Sequence, residues 1–296
     1  MNGALVIDKP KGLTSHDVVA RARRLLKTKR VGHTGTLDPF ATGVLVLLVG
    51  QATRLAQFVD KDEKEYEAVV RFGFETDTGD RTGSPRSNVQ GPKPLEVRAV
   101  ESVLAEFRGE TEQVPPMYSA KKVAGKKLYE LAREGQEIAR EPSKVLIREL
   151  EILNSDQIRD PRSEIRIRVV CSAGTYIRTL AEDIGRKLGV GAHLQELRRT
   201  RAGRFSLSQR VTLEQLGSLD DPASILFSMS EIVSHLPAAV LSAERIEKTK
   251  NGMPSRIAEN YRDGEQLRIV DECDELIAIG TFDEAERSVR PRIVLV

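Results

Sequence analysis

Residues 32–43 read GHTGTLDPFATG, and they restrict the possible folds more than any other stretch. Three glycines, three threonines and a proline within twelve residues exclude both a regular helix and a regular strand. The segment lies between an amphipathic helical pattern over residues 15–28 and a continuous apolar run, VLVLLVG, over residues 44–50. That apolar run reads as a buried strand. The chain must therefore seat an irregular loop on a buried scaffold, which is where reacting groups are usually placed. Asp38 stands at the loop's centre, with no other acid between Asp17 and Asp60. Taken as a bare dipeptide, Asp38-Pro39 would only start a turn, its carboxylate bonded to its own backbone.

A chain of 296 residues suggests about two domains. A hydrophobic content of 40% with 30% charged residues is that of an ordinary soluble globular protein with a sizeable core. Charge is unevenly spread: residues 1–60 hold nine Lys/Arg against four Asp/Glu, whereas residues 238–296 hold nine against twelve. Such a field suits a polyanion met mainly by the N-terminal part, although scattered solvated charge would give the same counts. The two cysteines, Cys171 and Cys273, are far apart, no CxxC occurs and there are four histidines, so neither a structural zinc site nor a disulfide is expected. A cytoplasmic setting fits that cysteine usage. No run is long enough to span a membrane, and MNGALVIDKPKG lacks the charged n-region of a signal peptide. Neither a Walker A loop nor a GxGxxG fingerprint is found, so no nucleotide, flavin or metal cofactor is expected.

Along the chain, ALVIDKPKG (residues 4–12) predicts a short buried strand and a Pro/Gly turn carrying Lys9. Thr14 and Ser15 are good N-cap residues for the next helix. Its apolar face holds Val18, Ala22, Leu25 and Leu26, and its basic face, Arg21, Arg24 and Lys27, faces either phosphate or water. A helix over 52–59, a strand over 64–74 with Tyr66, Ala68 and Val70 on one face, and a long or mobile connection over 75–94 follow. Residues 97–109 read as an amphipathic helix. Residues 115–135 interleave Lys121, Lys122, Lys126 and Lys127 with Tyr118 and Tyr129, charge for phosphate and rings for stacking. A half-buried strand over 164–170 leads to Gly174 and a helix beginning near Thr179. Tyr176 and Arg178, two apart in an extended segment, would face the same way. Residues 218–237 read as a linker or peripheral helix, and the last stretch as one helix with several short strands. Together these runs imply an α+β core, a large mixed or antiparallel sheet with helices packed on it.

GHTGTLDPFATGVL resembles the catalytic-loop motif of the pseudouridine synthases, in the branch that modifies the T loop of tRNA. The opening KPxG turn, TDTGD after the tyrosine strand, GTYIRTL and HLQELRRT are similar to that family's remaining motifs, so the resemblance spans roughly residues 3–205. MYSAKKVAGKKLYE looks like the insertion by which the stand-alone tRNA enzymes grip the T arm; guide-RNA-dependent relatives carry a shorter one. The resemblance implies a pseudouridine synthase catalytic domain over residues 1–235 with the insertion near 115–141. A small β-rich unit over 238–296 resembles the RNA-binding PUA domain, by layout and by the alternation of LIAIG and RIVLV.

The activity implied is conversion of uridine 55 of tRNA to pseudouridine, an isomerisation that needs no cofactor. It requires a carboxylate nucleophile, and Asp38 is the candidate within the motif. Attack at C6 of the base and assistance at C1′ of the ribose both remain open. By the same resemblance Arg178 pairs with Asp38, Tyr66 stacks on the uracil and helps move the C5 proton, and Tyr176 and Leu197 line the pocket. Lys9 lies beside the active site, and His33 fills the space left by the flipped base. The implied partner is the T arm of tRNA, without guide RNA, membrane or metal, and the chain is expected to be a monomer. Competing readings are a guide-dependent enzyme of the same family, a tRNA-holding protein without chemistry, and an unrelated hydrolase with an aspartyl nucleophile.

Replacing Lys121, Lys122, Lys126 and Lys127 together by alanine is expected to weaken tRNA binding and flatten its salt dependence, by up to about one unit of log–log slope per lost phosphate contact. An unchanged slope in filter-binding titrations at several salt concentrations would assign these lysines to solvent.

Overall fold

The structure, a computed structural model, describes residues 1–86, 95–119, 121–123, 125–136, 138–154 and 163–295. The apolar runs of the N-terminal segment decide its centre. Strand β1 (Gly3–Lys9), helix α1 (Ser15–Leu25), strand β2 (Val31–Thr34) and strand β3 (Thr42–Val49) come first. β1 and β3 pair antiparallel from Gly3–Val49 to Lys9–Gly43. Every residue from Gly43 to Val49 is buried, because both faces of β3 are covered. Leu45, Leu47 and Val49 pack with Val18 and Ala22 of α1, while Val44, Val46 and Leu48 pack with Phe205 and the C-terminal unit. Each such fully buried aliphatic side chain contributes roughly 1.5–3 kcal/mol. α1 starts on a reciprocal capping box: the Thr14 hydroxyl accepts from Asp17 N–H (3.0 Å) and the Asp17 carboxylate from Thr14 N–H (2.9 Å).

Strand β4 (Lys64–Phe72), helix α2 (Val97–Glu106), strands β5 (Gly109–Gln113), β6 (Ser143–Asn154) and β7 (Glu164–Cys171), helix α3 (Ile177–Leu188) and strand β8 (Ala192–Ala202) complete the core. The main sheet runs β1-β3-β8-β4-β7-β6-β5, with β2 beside β3 and a short strand, Phe205–Ser206, beside β8. All pairings are antiparallel except β3 with β8, so the sheet is mixed. α2 and α3 cover the face that carries Tyr66, Ala68, Val70, Ile165 and Ile167. The C-terminal unit has its own five-stranded sheet and the helix Ala243–Lys250, and its Val270, Leu276 and Ile279 join the core cluster of Ala4, Val6 and Val44.

Several sequence expectations change. Residues 50–59 are a 3₁₀ turn (Gly50–Leu55) running into one helical turn (Ala56–Val59). The helix expected to reach Gly109 ends at Glu106, and Gly109 opens β5, an alternating strand too polar to stand out. Within the connection over 75–94, Asp80 is buried and accepts from the Thr78 hydroxyl (3.0 Å) and from the Thr82 N–H (2.8 Å). Residues 87–94 lie outside the described residues. The segment over 218–237 is tied to β1 by the backbone pair Ala4–Phe227.

β3 and β8 meet only at Thr42–Arg198 and Gly43–Arg199. Gly43 has φ +100°, and a Cβ there would lie 2.2 Å from the Arg199 carbonyl oxygen. Gly43→Ala is therefore expected to cost about 2 kcal/mol or more, a fall in Tm of at least about 4 °C. A Tm within about 1 °C of wild type would mean that the two strands separate there without cost.

Candidate active site

The loop between β2 and β3 is fastened by donors from four directions. Lys9 is wholly buried, and its ammonium donates to the carbonyls of Ala41 (2.6 Å), Pro39 (3.3 Å) and Pro10 (3.2 Å). Gly12 N–H donates to Pro39 O (2.7 Å). Ser15, in the first turn of α1, exchanges hydrogen bonds with Leu37, accepting from its N–H (2.9 Å) and donating to its carbonyl (3.2 Å). Arg199 of β8 donates to Gly35 O (2.9 Å) and to Val44 O (2.7 Å). The result is an irregular loop whose backbone polar groups are satisfied from the scaffold. Lys9, which a turn position would leave in water, serves here as a buried loop anchor.

Asp38 is not closed into its own turn. Its two carboxylate oxygens face the Arg178 guanidinium side-on, with Nε–Oδ2 2.9 Å and Nη2–Oδ1 3.1 Å. This is the bidentate geometry for which arginine is suited. Arg178 also donates to the carbonyls of Tyr118 (2.7 Å) and Thr78 (3.3 Å), and its Nη1 lies 3.8 Å from Asp80. The start of the lysine-rich segment and the TDTGD turn therefore both converge on the arginine that holds Asp38. The TDTGD motif stands out in the sequence, but nothing there assigns Asp80 or the Tyr118 carbonyl to Arg178.

α3 begins at Ile177, two residues earlier than expected, so Tyr176 is its N-cap and Arg178 its second residue. They do not share the common direction of an extended segment. Tyr176 has no capping side chain of its own; Gln113 of β5 supplies one by accepting from Tyr176 N–H (2.9 Å) and donating to its carbonyl (3.2 Å). A helix entrance fixed in this way sets where the Arg178 stem leaves the backbone.

Tyr66 and Leu197 fall on the same face of β4 and β8, nearly buried, in one apolar cluster with Leu37 and Phe40 of the loop. His33, on β2, meets His16 edge-on at 5.4 Å between ring centroids, and its Nδ1 has no hydrogen-bond partner. In the lysine-rich segment Lys126 is exposed and Lys121 donates to the Ser143 hydroxyl (2.5 Å). The side chains of Lys122 and Lys127 lie outside what is described. A groove of about 600 Å³ opens beside α1, lined by Arg21, Arg24, Arg198 and Asp8 among others, which gives the helix's basic face a concave setting.

Burial raises the Asp38 carboxyl above the usual aspartate range; Arg178 opposes this, Asp80 adds to it and Lys9 opposes it. Burial also lowers Lys9 to about 8, Asp38 pulling it back up and Arg199 pushing it further down. His33 is lowered to about 4, first by burial and then by His16 and Arg199, so its ring is uncharged at neutral pH. Tyr66 is raised by burial, with Arg199 as the main opposing influence. Among the described residues no cluster of three or more His, Cys, Asp or Glu could hold a metal ion.

The family model for the TruB family pseudouridylate synthase N-terminal domain matches residues 23–177, and that for the tRNA pseudouridylate synthase B C-terminal domain matches residues 178–229. The tRNA pseudouridine synthase B of Bacillus cytotoxicus is 45% identical over 260 residues, 86% of this chain and 84% of the relative. Its counterpart in Solibacter usitatus is 44% identical over 285 residues, 95% of each chain. Among solved structures, a Cbf5–Nop10–Gar1 complex is similar with a TM-score of 0.73 at 28% identity, covering 99% of this chain and 85% of that one. An H/ACA ribonucleoprotein bound to a substrate RNA gives 0.72 at 26% with the same coverage.

Arg178→Met would leave Asp38 and Asp80 without their cation. The folded-state value of Asp38 is already raised, so folded protein binds more protons than unfolded protein between the two values, and stability falls as pH rises through them. Urea unfolding at pH 4.5 and pH 7 is expected to show a deficit that grows with pH, to about 3 kcal/mol at pH 7. A deficit independent of pH would mean that the lost carbonyl bonds, not the charge, account for it.

Proposed function

The chain belongs to the TruB family of pseudouridylate synthases, and from that premise we propose that it converts uridine 55 in the T loop of tRNA to pseudouridine. The observation that carries this reading is the Asp38–Arg178 pair, a carboxylate held side-on within GHTGTLDPFATG beside Tyr66 and Leu197. Asp38 is the nucleophile: a half-buried carboxylate paired side-on with Arg178, whose charge opposes the upward push of burial. The N1–C1′ bond breaks, a C5–C1′ bond forms, and the hydrogen lost from C5 is matched by one gained at N1, so atoms and electrons balance without a cofactor. The Tyr66 ring stacks on the uracil turned out of its loop, with Leu197 and Tyr176 as further pocket walls. A neutral His33 with an unpartnered ring nitrogen suits insertion among bases. Lys9 acts one step back, by anchoring the loop.

The RNA is held by charge. Lys121, Lys122, Lys126 and Lys127 line the insertion, and the groove beside α1 offers Arg21 and Arg24. The β-rich unit over 238–296 serves as a PUA-like second contact to the same tRNA. The insertion, and relatives named tRNA pseudouridine synthase B at 43–45% identity, favour action on tRNA by the chain alone, without a guide RNA, over the assembly with partner proteins named for the more distant structures. A monomer in the cytoplasm fits this; no helix among the described residues is long and apolar enough to cross a membrane.

The test is pseudouridine mapping of one unmodified tRNA transcript after incubation with purified protein. Wild type is expected to modify position 55, and Asp38→Asn to lose turnover while binding tRNA within about tenfold of wild type. Turnover by the variant near the wild-type rate would remove Asp38 from the mechanism.

A further inference from the structure

Among the described residues Arg199 heads the largest fully buried side chains, with 1% of its surface exposed, and no ion pair there holds it. Burying a guanidinium without a carboxylate is costly, so its placement calls for a reason beyond packing. The sheet register sets Arg199 of β8 directly opposite Tyr66 of β4. Its other contacts fall on both sides of Asp38 in sequence, at Gly35 O (2.9 Å) and Val44 O (2.7 Å). A Cβ on Gly35 would lie 3.2 Å from Arg199 Nη1, so the glycine allows the loop to approach the guanidinium closely. One buried cation thus joins the loop that carries Asp38 to the strand that carries Tyr66.

Guanidinium has donors and no acceptor. Set directly opposite Tyr66, Arg199 can offer the phenol oxygen positive charge and donors but no acceptor. Burial raises the Tyr66 phenol, and the Arg199 charge opposes it.

We propose, on the footing of the function stated above, that Arg199 is a positioning residue for the isomerisation: its buried charge, set opposite Tyr66 and tied to the loop of Asp38, prepares the Tyr66 oxygen to take the C5 proton. When the C5–H bond breaks, its electron pair forms the C5–C6 double bond, the C6–N1 π pair moves onto N1, and the proton goes to the Tyr66 oxygen, which has released its own proton to water. N1, freed from the ribose, is protonated from water. Arg199 supplies the positive charge that the transient phenolate needs and touches no substrate atom.

The test is a double-mutant cycle in single-turnover pseudouridine formation, with Arg199→Lys and Arg199→Gln each made alone and together with Tyr66→Phe. Melting temperature and tRNA binding are the controls. Arg199→Lys, with Tyr66 present, is expected to bind tRNA within about threefold of wild type and to react on the order of tenfold or more slowly. In the Tyr66→Phe background the same change is expected to cost less than about twofold, because its target is gone. Deuterium at C5 of the target uridine should slow Arg199→Lys more than it slows wild type, since proton removal becomes rate-limiting. Equal losses in both backgrounds, no loss in either, or a Lys variant with a collapsed melting temperature would overturn the proposal and leave Arg199 as a structural clamp. The wild-type arm separates the two claims: failure there to make pseudouridine refutes the proposed function, whatever the cycle shows.

Discussion

A carboxylate that is to react as a nucleophile has to be taken out of water and still carry its charge. Those demands conflict, since burial pushes the Asp38 carboxyl upward. The side-on pair with Arg178 opposes that push, and much of the architecture is arranged around that guanidinium. Gln113 fixes the start of the helix it springs from, Tyr118 and Thr78 accept its remaining donors, and Asp80 adds a second, longer charge contact. Four separated parts of the chain thus meet at one cation. Asp80 cuts both ways: it helps to compensate Arg178 but opposes ionisation of Asp38.

The loop itself is held by buried cations that bind carbonyls instead of carboxylates. Lys9 ties down Pro39 and Ala41, and Arg199 ties down Gly35 and Val44. A carbonyl partner satisfies the donor's hydrogen bonds and leaves its positive charge unneutralised. The backs of Asp38 and Tyr66 consequently face net positive charge within a low-dielectric interior, where such a field is screened least. Burial is the larger cause of the lowered His33 imidazole and Lys9 ammonium, and Arg199 adds to both. Preorganised charge of this kind needs no reorganisation when the reaction demands it.

Outside the pocket, charge is used differently. On the other face of the sheet Arg168 bridges Glu65 (2.9 Å) and Glu149 (2.5 Å), and Arg201 reaches Glu63 (3.3 Å), a half-exposed ladder that stitches neighbouring strands. Such exposed pairs contribute little each and mainly set register. On α1, Arg21 and Arg24 instead line the groove that opens beside the helix.

Much of this was legible in the linear chain because it depends on local pattern. The all-apolar run after Gly43 announced a buried strand, Thr14 and Ser15 announced a helix start, and the length of GHTGTLDPFATG singled out Asp38. The alternation around Tyr66 gave its strand and its buried face. Less visible were the features created by distance in sequence. β5 alternates but is polar, so periodicity did not mark it; α3 starts early because Gln113, more than sixty positions away, provides its cap. Arg199 sits in an arginine-rich run, RRTRAGR, whose members look alike on paper. Only pairing with β4 and β3 sends that one inward while Arg198 goes to Asp8 at 2.8 Å. Side-chain chemistry and short-range spacing are properties of the chain, whereas burial and partners are properties of the packed sheet, and it is burial that turns an ordinary lysine, arginine or aspartate into part of a site.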